Sequence, residues 1–290
     1  MYREQRWDSA DGLELYCRIY DTPAAGEASA PGALTVLCLP GLTRNSRDFE
    51  ALAPHLAARH RVVCPDLRGR GFSARDPDWR NYHPGTYLSD LQRLLQVLDL
   101  ARVAIIGTSL GGILGMLLGA TAPATVAGLV LNDVGPEVDP RGIERIKSYT
   151  GRLPPVRTWE EAVAQYRAVN GAAWPDLADE TWARMVHRSY RADDSGTPAL
   201  DCDPRIGDAL RAAPPVAGGL WPAFEQLGGI PMLVIRGALS DLLSADTVDR
   251  MRRGKPDLEA VTVGNRGHVP LLDEPEALSA IDRFLARLVP

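Results

Sequence analysis

Short apolar runs, each bounded by turn-forming residues, recur along the chain and predict the strands of a sheet. They occupy residues 13–20, 34–39, 61–64, 103–106, 128–131, 232–235 and 258–263. Between most of them the apolar positions recur with helical period, at residues 49–58, 86–98, 110–121, 245–252 and 275–288. This alternation predicts an α/β fold with a mostly parallel, twisted central sheet of about eight strands and helices on both faces.

The N-terminal strands are expected to form an antiparallel hairpin at one edge of this sheet. Asp11-Gly12 supplies a turn directly before the first apolar run. Residues 23–32 are rich in alanine, glycine and proline, which predicts a loop. One edge should therefore be antiparallel, and the strands that follow should be parallel.

Residues 136–219 interrupt the alternation of strand and helix. This segment has the pattern of amphipathic helices separated by Pro154-Pro155, Trp174-Pro175 and Pro214-Pro215. We therefore expect a helical cap inserted into a core made of residues 1–135 and 220–290. Its large side chains either roof an apolar pocket or pack the cap onto the core; they are Tyr149, Trp159, Tyr166, Trp174, Trp182, Met185, His187 and Tyr190.

A long stretch without charge, between Arg102 and Asp133, has the length of a membrane span. Gly107, the Gly111-Gly112 pair and Pro123 divide it into a strand, a helix and a second strand of ordinary length. A central parallel strand covered on both faces is apolar throughout. The stretch is therefore predicted to form protein core, and no membrane partner is expected.

Composition narrows the functional classes further. The 290 residues are 45% hydrophobic and carry a formal net charge of -5, with the charges scattered along the chain, so nucleic acid is not an expected partner. The first six residues are polar and mixed in charge, unlike a secretory signal, which predicts a cytoplasmic protein. Four cysteines without C-x-x-C spacing are expected to be reduced and buried: Cys17, Cys38, Cys64 and Cys202.

The strongest chemical signal is Gly107-Thr108-Ser109-Leu110-Gly111-Gly112, at the junction of a predicted strand and a predicted helix. A Gly-x-Ser-x-Gly sequence in this context lifts the serine onto a strained turn, and small residues on either side keep that turn unobstructed. The alternative is a glycine-rich packing turn. The context favours Ser109 as a catalytic nucleophile.

A serine hydroxyl needs a base to remove its proton, usually an imidazole that a carboxylate orients. Asp241 and His268 each follow a predicted strand, and the carboxyl ends of parallel strands meet at one edge of a sheet. We therefore predict a triad of Ser109, Asp241 and His268. Asp133 also follows a strand and is the reserve candidate for the acid.

Attack on a carbonyl places negative charge on oxygen, so the site also needs N–H donors at that point. The backbone amide of Leu110 lies at the predicted helix N-terminus, directly after the serine. The amide of Leu42 follows Pro40-Gly41 at the end of the strand at residues 34–39. These two amides are the predicted oxyanion hole, although Pro40-Gly41 alone is also compatible with an ordinary turn.

Taken together, these motifs resemble the α/β-hydrolase fold superfamily. The likeness rests on residues 39–42 (Leu-Pro-Gly-Leu), residues 66–73 (Asp-Leu-Arg-Gly-Arg-Gly-Phe-Ser), residues 107–112, Asp241 and Gly267-His268. This likeness spans both core segments and does not cover the cap. Within the superfamily, the chain is similar to the capped branch of carboxylesterases, lactonases and carbon–carbon bond hydrolases. The resemblance implies that Ser109, Asp241 and His268 are nucleophile, acid and base.

The expected function is hydrolysis of a small, largely apolar ester or lactone through an acyl-enzyme. A serine at the elbow disfavours relatives that use a carboxylate nucleophile, and Val269 stands where carbon–carbon hydrolases often have an aromatic residue. Cleavage of a diketone-like carbon–carbon bond and a low-turnover small-molecule receptor stay open as alternatives. No metalloprotease, P-loop or dinucleotide motif is present, so no metal or other cofactor is expected. The sequence does not indicate which oligomeric state the protein adopts.

Overall fold

The computed structural model describes residues 1–22, 34–214 and 218–288. Its ten strands are β1 (Arg3–Asp8), β2 (Glu14–Tyr20), β3 (Thr35–Leu39), β4 (Arg61–Asp66), β5 (Val103–Thr108), β6 (Val126–Asn132), β7 (Tyr190–Ala192), β8 (Pro198–Leu200), β9 (Met232–Gly237) and β10 (Glu259–Val263). Its α-helices are α1 (Leu52–Leu56), α2 (Pro84–Val97), α3 (Leu110–Thr121), α4 (Pro140–Tyr149), α5 (Trp159–Asn170), α6 (Asp179–Ser189), α7 (Ile206–Ala212), α8 (Trp221–Glu225), α9 (Ala245–Gly254) and α10 (Pro275–Ala286). Short 3-10 helices cover Ser46–Phe49, Trp79–Asn81 and Pro123–Thr125.

Eight strands form the main sheet, in the order β1-β2-β4-β3-β5-β6-β9-β10. The six strands from β4 to β10 in this order are parallel, whereas β1 and β2 pair antiparallel, as do β2 and β4. The predicted fold class and the antiparallel edge are confirmed. The predicted loop at residues 23–32 and Pro215 lie outside the described residues.

The core lies on both faces of the central strands. Every residue of β3, β5 and β6 is buried. Along β5, Val103 and Ile105 pack into one apolar cluster, whereas Ala104 and Ile106 pack into another on the opposite face. The charge-free stretch is therefore strand, helix and strand, as predicted, and no helix of the described chain is long and apolar enough to cross a membrane.

The segment between β6 and α8 contains α4 to α7 and a two-stranded sheet of β7 and β8. That small sheet was not predicted, because two strands of three residues are too short to produce an alternating pattern. The chain leaves and re-enters the core at neighbouring points, since the Leu220 amide donates to the Pro136 carbonyl at 2.6 Å. That residues 136–219 act as a cap stays a prediction, which this return of the chain favours.

A seam of hydrogen bonds joins the end of this segment to the loop after β4. The Asp203 amide donates to the Gly69 carbonyl at 2.7 Å, and the Gly71 amide donates to the Asp201 carbonyl at 3.0 Å. The Tyr82 hydroxyl donates to the Asp203 carboxylate at 2.6 Å. The motif at residues 66–73 thus holds one side of the insertion. All four cysteines are buried and form no disulfide, in agreement with the prediction.

Candidate active site

Ser109 occupies a strained turn between β5 and α3. Its φ of 51° and ψ of -114° lie in a backbone region that residues other than glycine rarely adopt. The turn is held by its backbone, since the Ser109 amide donates to the Asn132 carbonyl at 3.0 Å and the Gly112 amide donates to the Ser109 carbonyl at 2.9 Å. The serine is therefore presented at the carboxyl edge of the sheet.

Close backbone packing explains why glycine occupies the positions around this serine. A Cβ at Gly107 would lie 2.4 Å from the carbonyl carbon of Gly111, and one at Gly111 would lie 2.1 Å from the carbonyl oxygen of Leu39. At Gly112 it would lie 2.4 Å from Val134 Cγ1. Because these distances are far below van der Waals contact, the strand and helix can approach this closely only with glycine at each position.

The structure brings His268 to Ser109. His268 lies on the loop after β10, and its Nε2 is 2.9 Å from Ser109 Oγ. Its Nδ1 is 2.8 Å from Oδ2 of Asp133. The His268 side chain is 9% exposed and that of Asp133 is fully buried. A hydroxyl, an imidazole and a carboxylate are therefore linked in series, with the carboxylate buried and the hydroxyl facing the cavity.

Asp133 is fixed by donors on both carboxylate oxygens. The Gly237 amide donates to Oδ1 at 2.8 Å, and the Ser240 hydroxyl donates to Oδ2 at 2.6 Å. Burying a carboxylate is costly unless such partners compensate for lost water. These donors hold Asp133 Oδ2 where it meets the imidazole.

The prediction that Asp241 contacts His268 is wrong in this structure. Asp241 follows β9 as expected, yet its carboxylate pairs with Arg145 of α4, with Oδ1 at 2.8 Å from Nη2. The hydrogen bond from Arg145 lowers the pKa of Asp241, and the Asp241 side chain is 38% exposed. The neighbouring Ser240 turns inward to Asp133, which leaves Asp241 facing α4.

Sheet order explains why the reserve candidate occupies the position. Asp133 follows β6, which lies between β5, the strand before Ser109, and β9. It therefore stands one strand from the serine, whereas Asp241 stands two strands away. Strand order was not available from the apolar pattern, which showed only that both carboxylates follow strands.

Sequence reasoning missed Asn132, which connects the two loops of the site. Its Nδ2 donates to Thr108 Oγ1 at 3.1 Å and to the Pro270 carbonyl at 3.0 Å. Thr108 precedes the serine, and Pro270 lies two residues after His268. Asn132 is 1% exposed, so this bridge is part of the core that fixes the distance between hydroxyl and imidazole. An uncharged asparagine at a strand end gives no distinctive sequence signal.

The histidine loop is also held by the inserted segment. Trp174 Nε1 donates to the Val269 carbonyl at 2.7 Å, and the Gly267 amide donates to the Ala173 carbonyl at 2.7 Å. Arg266 pairs with Asp176 at 2.5 Å. Three contacts from residues 173–176 thus brace the loop on either side of His268.

Replacing Trp174 with phenylalanine is expected to lower kcat by about 10-fold, because a small displacement of His268, the predicted base, is costly. The ring is kept and the hydrogen bond to Val269 is lost, at about 1 kcal/mol of stability. Steady-state kinetics and thermal unfolding measure both effects. Trp159→Phe is the matched control, because Trp159 packs against His187 with ring centroids 4.2 Å apart. An equal loss of kcat in both variants would contradict the bracing role.

The predicted oxyanion donors follow two neighbouring strands, β3 and β5. Leu110 is the first residue of α3, so its amide has no acceptor within the helix. Leu42 follows β3 in a turn closed by the Arg44 amide, which donates to the Gly41 carbonyl at 3.1 Å. Buried Arg70 fixes this turn, since its Nε donates to the Leu42 carbonyl at 2.8 Å. The sequence analysis placed Arg70 in the motif at residues 66–73 but did not predict this contact.

A cavity of about 470 Å³ opens over Ser109 and His268. Its lining from the inserted segment is mainly aromatic and apolar, and includes Ile146, Tyr149, Val156, Tyr166, Val169, Trp174, Met185 and Tyr190. Both interpretations of the segment's large side chains hold in part. Trp159, Trp182 and His187 do not line the cavity, and Trp182 is buried in the segment's own apolar cluster.

One partly buried cation, Arg44, connects the turn after β3 to the inserted segment. Arg44 donates through Nε to Asp48 at 2.8 Å and through Nη1 to the Tyr166 hydroxyl and to Ser189 Oγ. Its charge is neutralised by Asp48. The cavity wall therefore contains a paired ionic contact beside its aromatic and apolar lining.

Comparison with known proteins agrees with this geometry. A family model described as the alpha/beta hydrolase family matches residues 36–281. The 3-hydroxybutyrate-oligomer hydrolase of Cupriavidus necator is 36% identical over 268 residues, which cover 89% of this chain and 90% of that protein. The 2-(acetamidomethylene)succinate hydrolase of Mesorhizobium japonicum is 26% identical over 251 residues, 86% of this chain and 87% of that protein.

Solved structures show the same architecture. An alpha/beta hydrolase from Novosphingobium aromaticivorans superposes with a TM-score of 0.90 at 44% identity, over 99% of this chain and 98% of that one. The family match covers most of the chain, and the relative from Cupriavidus necator aligns over nearly its full length. The chain therefore belongs to the alpha/beta hydrolase family and is a hydrolase.

Proposed function

We propose that this protein is a serine esterase that uses Ser109, His268 and Asp133 to cleave ester bonds between short hydroxy acids. The observation that carries the proposal is the series of contacts from Ser109 Oγ to His268 Nε2 and from His268 Nδ1 to Asp133, at 2.9 and 2.8 Å. Such a series converts a weak nucleophile into one that attacks a carbonyl.

In the proposed first step, His268 Nε2 accepts the Ser109 proton as Oγ attacks the ester carbonyl. Asp133 accepts a hydrogen bond from Nδ1–H, which fixes the tautomer with its free lone pair on Nε2 and stabilises the imidazolium that forms. The amides of Leu42 and Leu110 donate to the developing oxyanion. The imidazolium then protonates the leaving alcohol, and an acyl-enzyme remains.

In the second step, water replaces the alcohol. His268 accepts a proton from the water, the resulting hydroxide attacks the acyl carbon, and the same two amides stabilise the second oxyanion. Collapse of this intermediate returns the proton to Ser109 and releases a carboxylic acid. The reaction needs only water as co-substrate, so a cofactor plays no part in it.

The substrate class is proposed from the cavity and the named relatives. A volume of about 470 Å³ lies within the range that holds a drug-sized molecule, roughly 300–1,000 Å³, and its apolar wall suits short aliphatic acyl chains. The Cupriavidus necator relative is named for 3-hydroxybutyrate oligomers, and the Mesorhizobium japonicum relative for a succinate derivative. Both substrates carry carboxylate groups. Short oligomers of 3-hydroxy acids therefore suit the apolar cavity wall and agree with the substrates for which the two relatives are named.

A substrate panel and an activity-based probe test this proposal together. The wild-type protein is expected to cleave 3-hydroxybutyrate dimers and trimers and short-chain nitrophenyl esters, and a fluorophosphonate should label Ser109 in peptide mapping. His268→Ala should abolish labelling. His55→Ala is the matched control, because His55 lies on α1 and faces Asp282.

Other outcomes would overturn the proposal. Cleavage of diketones with no ester turnover would favour carbon–carbon bond hydrolysis. Labelling of Ser109 at the rate of an ordinary serine, without turnover of any ester or lactone, would favour a binding protein. Equal labelling in His268→Ala would show that the imidazole does not activate Ser109.

A further inference from the structure

One wall of the cavity carries an excess of arginine, although the whole chain has a net charge of -5. Arg75 and Arg188 line the cavity on this side, together with residues 197–200 of the β7–β8 hairpin. Behind them, Arg47 and Arg191 both pair with the buried carboxylate of Asp201. We call Arg75, Arg188 and the arginines paired behind them the arginine wall.

The carboxylates at the arginine wall do not balance its cations. The four arginines of the wall, Arg47, Arg75, Arg188 and Arg191, form ion pairs with only two carboxylates, Glu50 and Asp201. Glu50 is shared by two arginines, at 2.7 Å from Arg18 and 3.5 Å from Arg188. A local positive potential in an acidic protein attracts and orients anions.

Arg75 is the cation of this wall that is available to a ligand. It is exposed and lines the cavity, and it makes no hydrogen bond or ion pair with any residue in the described ranges. Burial raises the pKa of Asp201, and the charge of Arg75 only opposes that shift from a distance, because Arg47 and Arg191 occupy the carboxylate. The remaining lining carboxylate, Asp193, accepts from its own turn, from the amides of Ser195 at 2.9 Å and Thr197 at 3.0 Å.

We infer that Arg75, supported by Arg188, binds the free carboxylate of the substrate, so that the enzyme prefers acid-terminated hydroxy-acid esters to neutral ones. This inference rests on the proposed function, because it places the carboxylate in the same cavity as the ester bond at Ser109. Guanidinium pairs with carboxylate through parallel N–H donors, which orients the ligand as well as attracting it.

The test measures binding, so that it does not depend on turnover. In a Ser109→Ala background, calorimetry compares 3-hydroxybutyryl-3-hydroxybutyrate with its methyl ester, in which one added methyl group removes the charge at that end. Adding Arg75→Gln should weaken binding of the acid about 2–5-fold, the range for a partly solvated ion pair, and leave the methyl ester unchanged. Raising the salt concentration should reduce the same difference.

Arg93→Gln is the matched control, because Arg93 lies exposed on α2 and is not part of the cavity lining. Equal weakening of acid and methyl ester by Arg75→Gln, or no weakening of either, would overturn the inference. If Arg75→Gln selectively weakens binding of the acid but the wild-type enzyme hydrolyses neither ligand, the carboxylate subsite is upheld and the proposed reaction is rejected.

Discussion

Replacing Ser109 with alanine should lower ester hydrolysis by about 10⁴–10⁶-fold, the scale of loss when a triad nucleophile is removed. Only the hydroxyl is lost, so the cavity and the two oxyanion amides remain and the KM should change little. Steady-state kinetics with a short-chain nitrophenyl ester measure the effect.

The positive φ of Ser109 gives this variant a second expected property. Alanine at φ 51° keeps the strain of the elbow without the function, so the fold should be retained with stability near that of the wild type. Thermal unfolding checks this point. Retention of wild-type turnover by a folded Ser109→Ala protein would show that another residue is the nucleophile.

Replacing Asp133 with asparagine should lower kcat by about 10⁴-fold, because an amide stabilises the wrong imidazole tautomer and cannot offset the imidazolium charge. Asparagine has nearly the same shape, and one of its polar atoms can still accept from the Gly237 amide or the Ser240 hydroxyl. The loss should therefore appear in kcat rather than in folding. Steady-state kinetics combined with circular dichroism separate the two.

Asp241→Asn is the matched control for that variant, and its kcat should stay within a few-fold of wild type. Its effect should fall on stability instead. Because Arg145 depresses the pKa of Asp241, the pair stabilises the fold at pH values above the unfolded pKa, and this contribution is lost as the pH falls through the folded pKa. For a pair 34–38% exposed, the loss near neutral pH should be below about 1 kcal/mol.

Much of the fold follows from apolar periodicity. α3 was predicted with its observed bounds, because a mostly buried helix flanked by Ser109 and the turn before β6 has sharp limits in sequence. β7 and β8 were missed because their pairing depends on tertiary contacts and not on a local pattern. The order of strands in the sheet is likewise a property of the whole chain.

The candidate site was predictable where a residue carries its own signal. Ser109 lies in a motif whose glycines are sterically required, and His268 follows the last strand. The acid has no such signal, since Asp133 and Asp241 both follow strands and only the sheet order separates them. Asn132 and Trp174 act through backbone carbonyls of the histidine loop, and a sequence does not show which side chain will meet a given carbonyl.

The central claim is that Asp133, and not Asp241, holds the imidazole that activates Ser109. Proton NMR of protein labelled with ¹⁵N at its five histidines detects the hydrogen bond between the imidazole and its carboxylate directly. The signal is the downfield resonance of an imidazole N–H that donates to a buried carboxylate. We predict that this resonance is present in the wild type and in Asp241→Asn, and absent in Asp133→Asn and His268→Ala. Its survival in Asp133→Asn, or its loss in Asp241→Asn, would contradict the account.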